Sequence, residues 1–517
     1  MSDKQAKSHG RAGGGRAARL ARRQAGPDLT GAPAGITRRV PVYELLEEEN
    51  LVRLENHADW ILAEIGVEIR GDPVALELFR EAGVSCAGQR LRFDPGQARA
   101  LCASAPRTFS MQARNPRRSI EFGGDKLIFA PAYGSPFVSD LAGGRRYGTL
   151  EDFENFVKLS YLSPALHHQS GTLCEPVDIP VNKRHLDMVY AHLRYSDKPF
   201  MGAVTAPQRA EDSIAMARIV FGPHYLEDHL VIQGNINVNS PLVYDDTMTG
   251  SLRAYAAANQ GVMVSPFILG GAMSPVTQGA LIAQAHAEAM VGIALTQLVR
   301  KGAPVVYGSF LTTMDLKTGA PTFGTPESSL ATLAISQLCR RLGLPFRCGG
   351  HLTAAKIADA QAMQESADTM HPAIMAGANF ILQSAGWLEG GLTIGYEKFV
   401  MDADRCAMLQ RFLAGLNLDA NALAADAYRE AGIGNNFLGT AHTLRNFETA
   451  NLPIELADTN SYEQWSSDGG TDMQQRAQVK WQRLLAAYQA PAIDPGVDEH
   501  LKDFIARRKA EMKDAWY

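Results

Sequence analysis

Between Lys126 and Leu416, short apolar runs alternate with amphipathic helical stretches, eight times in succession. Runs over 127–133, 166–173, 200–204, 229–235, 262–269, 305–310, 346–351 and 380–386 have the length and β-branched or aromatic content of buried strands. Apolar residues recur at helical spacing in the stretches that follow them: 150–162, 183–195, 210–221, 247–258, 279–300, 327–342, 359–376 and 396–416. A strand-to-strand interval of roughly 35 to 40 residues suits a right-handed crossover between parallel strands. The pattern predicts an α/β fold of the (β/α)8, or TIM-barrel, type over 126–416. Lys198-Pro199, Ala303-Pro304 and Leu344-Pro345 mark strand entries, where a missing amide donor is harmless.

Ahead of the barrel, Leu45, Leu46, Leu51, Leu54, Ala58, Ile61, Leu62 and Ile65 recur at helical spacing within 40–83. Short strands are expected around 91–93, 109–112 and 119–122, making 40–125 a small α+β cap. Residues 417–517 read as a helical extension, with helices at 440–449 and 473–489. Such helices pack on a barrel's outside or mediate subunit contacts, and a homo-oligomer is the expected assembly. Residues 1–39 carry Arg16, Arg19, Arg22, Arg23, Arg38 and Arg39 among Gly and Ala, which reads as a disordered basic tail. They hold no apolar core of a secretory signal.

Composition narrows the partners. A formal net charge of −5 offers no general attraction for a phosphate backbone, so no nucleic acid is expected. The six cysteines are scattered without a Cys-x-x-Cys pair, which suits a reducing, cytoplasmic setting. The most apolar helix, 281–299, is interrupted by Gln284, His286, Glu288 and Gln297 and reads as a buried barrel helix, so no membrane partner is expected.

A barrel of this type places its chemistry at the carboxyl ends of its strands. Those ends carry Tyr133 and Phe137; His167, His168 and Gln169; Asn235, Asn237 and Asn239; Ser265 and Phe267; Tyr307, Ser309 and Phe310; Cys348 and His351; Gln383, Ser384 and Trp387. Few carboxylates or lysines stand among them, whereas acid–base work on a sugar or phosphate calls for pairs of such groups. An aromatic, amide-lined mouth suits a cationic or weakly polar substrate, although any single ring serves equally well as core closing the barrel top. His351 and His168 are the candidate catalytic residues, as donors or proton shuttles. Tyr133, Tyr307, Phe310 and Trp387 are the candidate cage, with Asn235 and Gln383 for polar orientation.

The same residues bear on other chemistries. Cys348 and His351 form a Cys-x2-His pair, with Cys174 and His168 on another strand. The set is too loose for a zinc site, and no metal is expected. Gly143-Gly144 and Gly390-Gly391 do not continue into a nucleotide loop. Lys356 would form a Schiff base if desolvated, but a loop lysine pairing Asp359 or Glu365 is the plainer reading. The rival functions are accordingly a Lys356-dependent lyase, a zinc-assisted thiol methyltransferase, or a barrel that binds a methylated amine without turning it over.

One set of residues carries a resemblance. Gly324-Thr325-Pro326-Glu327, Leu344-Pro345, Cys348-Gly349-Gly350-His351 through Lys356, Asp359-Ala360-Gln361 and Glu365 resemble the trimethylamine methyltransferase (MttB) superfamily, with the likeness running from Val40 to the C-terminus. The resemblance implies a (β/α)8 fold and transfer of a methyl group from a tertiary or quaternary amine to Co(I). That cobalt belongs to a corrinoid (cobalamin) held by a separate, cognate corrinoid protein docking over the mouth. No tightly bound cofactor is then expected on this chain, which shows no Asp-x-His-x-x-Gly cobalamin motif. Archaeal members carry pyrrolysine in the segment matching about 349–352; here the residues are ordinary, as in relatives that demethylate glycine betaine and similar quaternary amines. A further departure is Thr353-Ala354-Ala355-Lys356, where many members have Ser-Asp-Ser-Lys. A quaternary ammonium needs no proton to leave, so holding its methyl in line in a dry pocket would suffice, with Asn, Gln and His holding a carboxylate at the other end.

Overall fold

The computed structural model describes residues 33–452 and 455–516, so most of the expected basic tail lies outside the described residues. Seven parallel strands make the central sheet, with neighbours in the order Lys126–Phe129, Phe380–Leu382, Phe346–Gly349, Val305–Gly308, Gly261–Ser265, Ile232–Asn237 and Phe200–Met201. Ile36–Thr37 adds an antiparallel pairing at the first of these.

The second expected strand, 166–173, does not form as a strand. Its backbone nevertheless bonds to both edges of the sheet: the His167 amide donates to Phe129 O (2.9 Å), Gln169 to Pro199 O (2.8 Å), and Met201 to Ser170 O (2.8 Å). The reason is local. His168 Nδ1 accepts the Ser170 amide at 2.9 Å, and Ser170 sits at φ 63°, so a side chain takes the donor that an extended ladder would use. The sheet therefore curls, and its two edges meet through this segment.

Several other expected runs end early. Run 262–269 divides at Pro266 into Gly261–Ser265 and Phe267–Gly270, and run 305–310 divides at Ser309; Phe267–Gly270 then pairs with Phe310–Thr313 in a second small sheet. Run 380–386 keeps only Phe380–Leu382, because Gln383 adopts φ 58°.

The eight helices follow in the expected places: Leu150–Leu162, Arg184–Tyr195, Pro207–Phe221, Asp246–Ala257, Gln278–Val299, Pro326–Leu342, Ala360–Met375 and Tyr396–Leu413. Thr149 and Asp152 form a capping box, Asp245 and Asp359 accept amides at their helix starts, and Pro207 and Pro326 open theirs. By length and composition Gln278–Val299 could cross a membrane, but 89% of that stretch is buried inside the protein. Its polar residues are partnered: Glu288 accepts from Ser240 Oγ (2.6 Å), the Leu242 amide (2.8 Å) and Gln284 Nε2 (2.9 Å).

The expected helical stretch 40–83 is interrupted. Helix Glu48–Trp60 runs into a π turn, Ile61–Ile65, and stops at Gly66, whose φ of 79° starts strand Val67–Arg70. Arg341 holds this region to the main body with Nε 2.8 Å and Nη2 3.0 Å from the two oxygens of the buried Glu55. The short strands Arg90–Arg92, Phe109–Met111 and Ile120–Phe122 stand where expected. The last two form a hairpin that plugs the sheet's interior, placing Met111, Ile120 and Phe122 in one cluster with Ile128, Met201, Met263, Val306 and Phe380. At the other end of the chain, Met473–Ala486 packs on Tyr396–Leu413, and Pro495–Glu511 on Pro207–Phe221, both on the outside.

Burial favours the neutral form of the enclosed imidazoles, His168 and His351 among them. Desolvation lowers His167 to about 3, and His192 and His286 to about 4. The unfolded chain, with ordinary histidines, takes up protons first as the pH falls. Stability is thus full above about 6.5 and declines toward pH 4, by about 1.4 kcal/mol per pH unit for each imidazole. Urea midpoints at pH 7.5, 6 and 5 should fall steadily, and His286→Gln should flatten the slope. A midpoint unchanged from 7.5 to 5 would rule this out.

Candidate functional site

Side chains on a curled sheet alternate between the interior and the helix layer. Ile128, Met201, Met263, Val306, Phe380 and Leu382 point inward. Continuing the same alternation toward the carboxyl ends places Asn235, Ser265 and Arg347 on the inner face, with Gly308 beside both Ser265 and Arg347. A Cβ on Gly308 would lie 2.0 Å from Ser265 Oγ, so glycine is what keeps this corner open.

Arg347 is 2% exposed. Its Nη1 donates to Ser309 O (3.1 Å), its Nη2 to Gln383 Oε1 (3.3 Å), and Nε has no partner. Among the described residues no carboxylate pairs with it, and desolvation lowers its pKa to about 10. Its guanidinium carbon stands 5.5 Å from the Phe310 ring centroid. Gln383 reaches it from a left-handed backbone conformation, a strain that the surroundings must hold in place.

Phe310 belongs to an aromatic group. Its centroid is 5.4 Å from Phe267, 5.5 Å from Phe323 and 5.7 Å from Trp387, and Phe323 lies 5.8 Å from Trp387. Gly391, at φ 99°, allows the indole its place, since a Cβ there would meet Trp387 at 2.3 Å. Trp387 Nε1, Asn235 Oδ1 and Ser265 Oγ are buried without hydrogen-bond partners.

Tyr133 is half-buried, its hydroxyl within electrostatic reach of Arg347 and its ring 2.8 Å from where a Gly171 Cβ would stand. It lines a cleft with Thr172, Glu175, Arg184, Met201 and Arg209. Burial raises both the Tyr133 hydroxyl, to about 12, and the Glu175 carboxyl.

Two expected site residues lie elsewhere. Tyr307 follows inward Val306 and therefore faces the helix layer, where its hydroxyl is 3.0 Å from His286 Nδ1. His351 is enclosed behind the sheet, with Nδ1 2.7 Å from Ser384 O and 3.7 Å from Asp402 of helix Tyr396–Leu413. Asp402 in turn holds Lys398 at 2.6 Å. His168 does face inward but lies deep, edge-on to Phe380 at 5.1 Å. The structure thus brings Phe310, Gln383 and Trp387 together with Arg347 and places Asn235 on the same inner face, while it separates Tyr307 and His351 from them.

Arg347 and Phe323 escaped the sequence reading. The signal for Arg347 was a lone charge inside an otherwise apolar strand; Phe323 directly precedes the Gly324 motif.

The motif itself is a brace. Gly324 (φ 84°) lies so close to Glu365 that a Cβ would be 2.4 Å from its Cγ. Glu365 accepts Thr353 Oγ1 (2.5 Å) and the Ala354 amide (2.8 Å), while the Gly390 amide donates to Thr353 O (2.9 Å). Glu365 is therefore committed to this loop, and Lys356 is exposed and bonds Ala354 O, pairing neither Asp359 nor Glu365. Such an amine lacks the desolvation a Schiff-base lysine needs. Among the described residues no three His, Cys, Asp or Glu side chains converge as metal ligands would.

The protein's class is methyltransferase. The chain belongs to the trimethylamine methyltransferase (MTTB) family, whose profile matches residues 11–513. It is 38% identical over 474 residues to the glycine betaine methyltransferase of Desulfitobacterium hafniense (strain Y51), covering 92% of this chain and 98% of that one. It is 26% identical over 470 residues to the trimethylamine methyltransferase MttB of D. hafniense (strain DSM 10664 / DCB-2), covering 90% and 94%. The solved monomethylamine methyltransferase (MtmB) of Methanosarcina barkeri superposes with a TM-score of 0.48 at 11% identity, over 90% of this chain and 96% of that one. Residues 349–352 are Gly-Gly-His-Leu, so this member has no pyrrolysine there.

The enclosure of His351 makes a prediction. His351→Gln should lower the melting temperature by a few degrees, for the loss of one buried hydrogen bond and some packing, on the order of 1–3 kcal/mol. Affinity for a methylated amine should stay within about twofold, under 0.5 kcal/mol. A large loss of affinity with unchanged melting would put the ring back in the site.

Proposed function

We propose that this protein moves a methyl group from a quaternary methylated amine, such as glycine betaine, to the Co(I) of a corrinoid on a separate cognate protein. The sheet, with 167–170 as its closing segment, is read as a (β/α)8 barrel over 126–416, flanked by the N-terminal α+β cap (40–125) and the C-terminal helical extension (417–517). A cytoplasmic setting suits the six free cysteines. A homo-oligomer suits the exposed apolar side chains of Phe412, Leu416, Leu438 and Phe447.

The observation that carries the reading is the ring group of Phe267, Phe310, Phe323 and Trp387 at the carboxyl ends of the strands. Ring faces attract a trimethylammonium group electrostatically, and more strongly when water is kept out. The nitrogen already carries its charge, so the amine departs without a general acid; this fits a site whose two candidate histidines are both buried. Phe310 and Trp387 would fix the nitrogen and thereby aim one methyl outward. The reduced corrinoid would supply the nucleophile. His168 and His351 are each fully enclosed and hydrogen-bonded, so neither is presented to a cobalt, which fits a corrinoid arriving from outside on its own carrier.

Purified protein with reduced cobalamin and its corrinoid partner should form methylcobalamin from glycine betaine, followed by absorbance. Failure across a panel of quaternary and tertiary methylated amines would end the proposal. Phe310→Leu and Trp387→Leu should each weaken donor binding by about 5- to 30-fold, the worth of about 1–2 kcal/mol of cation–π attraction. Unchanged calorimetric affinities in both variants would remove the rings from the site.

A further inference from the structure

Two buried cations on this sheet are treated differently. Lys198, fully enclosed, donates to three carbonyls: Ser160 O at 2.7 Å, Ser163 O at 2.9 Å and Leu166 O at 2.6 Å. Its three donors are all used, which is how a cation with a purely structural task is accommodated. Arg347 is buried to nearly the same degree, yet only Nη1 and Nη2 have acceptors, both neutral, and Nε has none. A guanidinium carries five donors. Enclosing one with most of them idle and without an opposite charge is costly unless something else arrives to pair with it.

The position says what could arrive. Arg347 touches the ring group through Phe310, so a molecule held by those rings comes within reach of the guanidinium. Gly308, its neighbour in register, contributes no side chain, and the inward Ser265 Oγ beside it is unpartnered. Gln383, the one side chain hydrogen-bonded to Arg347 among the described residues, is held at φ 58° to do so, and it orients the fork without neutralising it.

We propose that Arg347 is the specificity residue of this site: it receives the carboxylate of the methyl donor, which restricts the substrate class to betaines, quaternary amines carrying an acid group. The inference rests on the ammonium reading above for the other end of the molecule. A zwitterion matches both ends, rings to ammonium and guanidinium fork to carboxylate. A donor with only a positive charge meets an unneutralised like charge in the same dry interior and is rejected. The residue thus selects for one class and against another with a single group.

Calorimetry with three probes of nearly one shape tests this. Glycine betaine has both charges, choline has the ammonium without the carboxylate, and 3,3-dimethylbutyrate has the carboxylate with a neutral carbon in place of nitrogen. Wild-type protein should bind glycine betaine at least about tenfold more tightly than choline. Arg347→Gln should erase that preference, leave choline equal or tighter, and abolish 3,3-dimethylbutyrate binding. Choline bound as tightly as betaine by the wild type overturns the proposal without recourse to any variant, as does undiminished betaine affinity in a folded Arg347→Gln. If 3,3-dimethylbutyrate binds through Arg347 while neither ammonium compound binds, the anion site stands and the ammonium reading falls. If none of the three binds, both fall.

Discussion

Three backbone hydrogen bonds, from residues 167–170 to Phe129 on one side and to Pro199 and Met201 on the other, join the edges of the curled sheet. On them depends the difference between an inner and an outer face. A sheet left open there would wet Met201 and His168; joined, it makes an interior from which water is excluded, plugged from one end by the hairpin of Phe109–Met111 and Ile120–Phe122. The joining segment is irregular because His168 turns inward and takes the Ser170 amide, so the same residue that closes the sheet also fills its depth.

A dry interior sets the terms for every charge within the fold. Lys198 is met by carbonyls, Lys398 by Asp402 at 2.6 Å, and Glu288 by three donors. Each is a closed arrangement, and each lies outside the aromatic corner. The Lys398–Asp402 pair also explains the enclosure of His351: Asp402 accepts the Gly386 amide at 2.9 Å, so the chain after Phe380–Leu382 is drawn outward onto helix Tyr396–Leu413, and His351 is trapped beneath it. In the aromatic corner, by contrast, Arg347 Nε and Trp387 Nε1 are left without partners.

How much of this could be read from the chain depended on which regularity was at stake. Strand and helix order was legible because apolar runs, their prolines and the helix caps are local signals. Face was not. Strands covered on both sides read as continuous apolar runs without the alternation that marks inside from outside. Tyr307 was for that reason placed in the mouth, one residue out of phase with inward Val306. Arg347 was passed over by the same blindness: a charge in an apolar strand carries meaning only once its face is known. Phe310 and Trp387 stand a few residues past the strands Val305–Gly308 and Phe380–Leu382, where the chain's turn leaves a ring near the rim.

The resemblance motif gains a physical meaning from its contacts. Gly324 sits against Glu365, Glu365 grips Thr353 and Ala354, and Thr353 O holds the Gly390 amide. These bonds tie together the segments that carry Phe323, Arg347 and Trp387, which lie far apart in sequence. The brace holds those segments at a fixed spacing, and a ring shifted by an ångström would lose its contact with a neighbour. Thr353 bonds Glu365 through Oγ1, and the Ala354 contact is made by its backbone amide. The brace therefore draws on a side-chain hydroxyl at 353 but only on the backbone at 354.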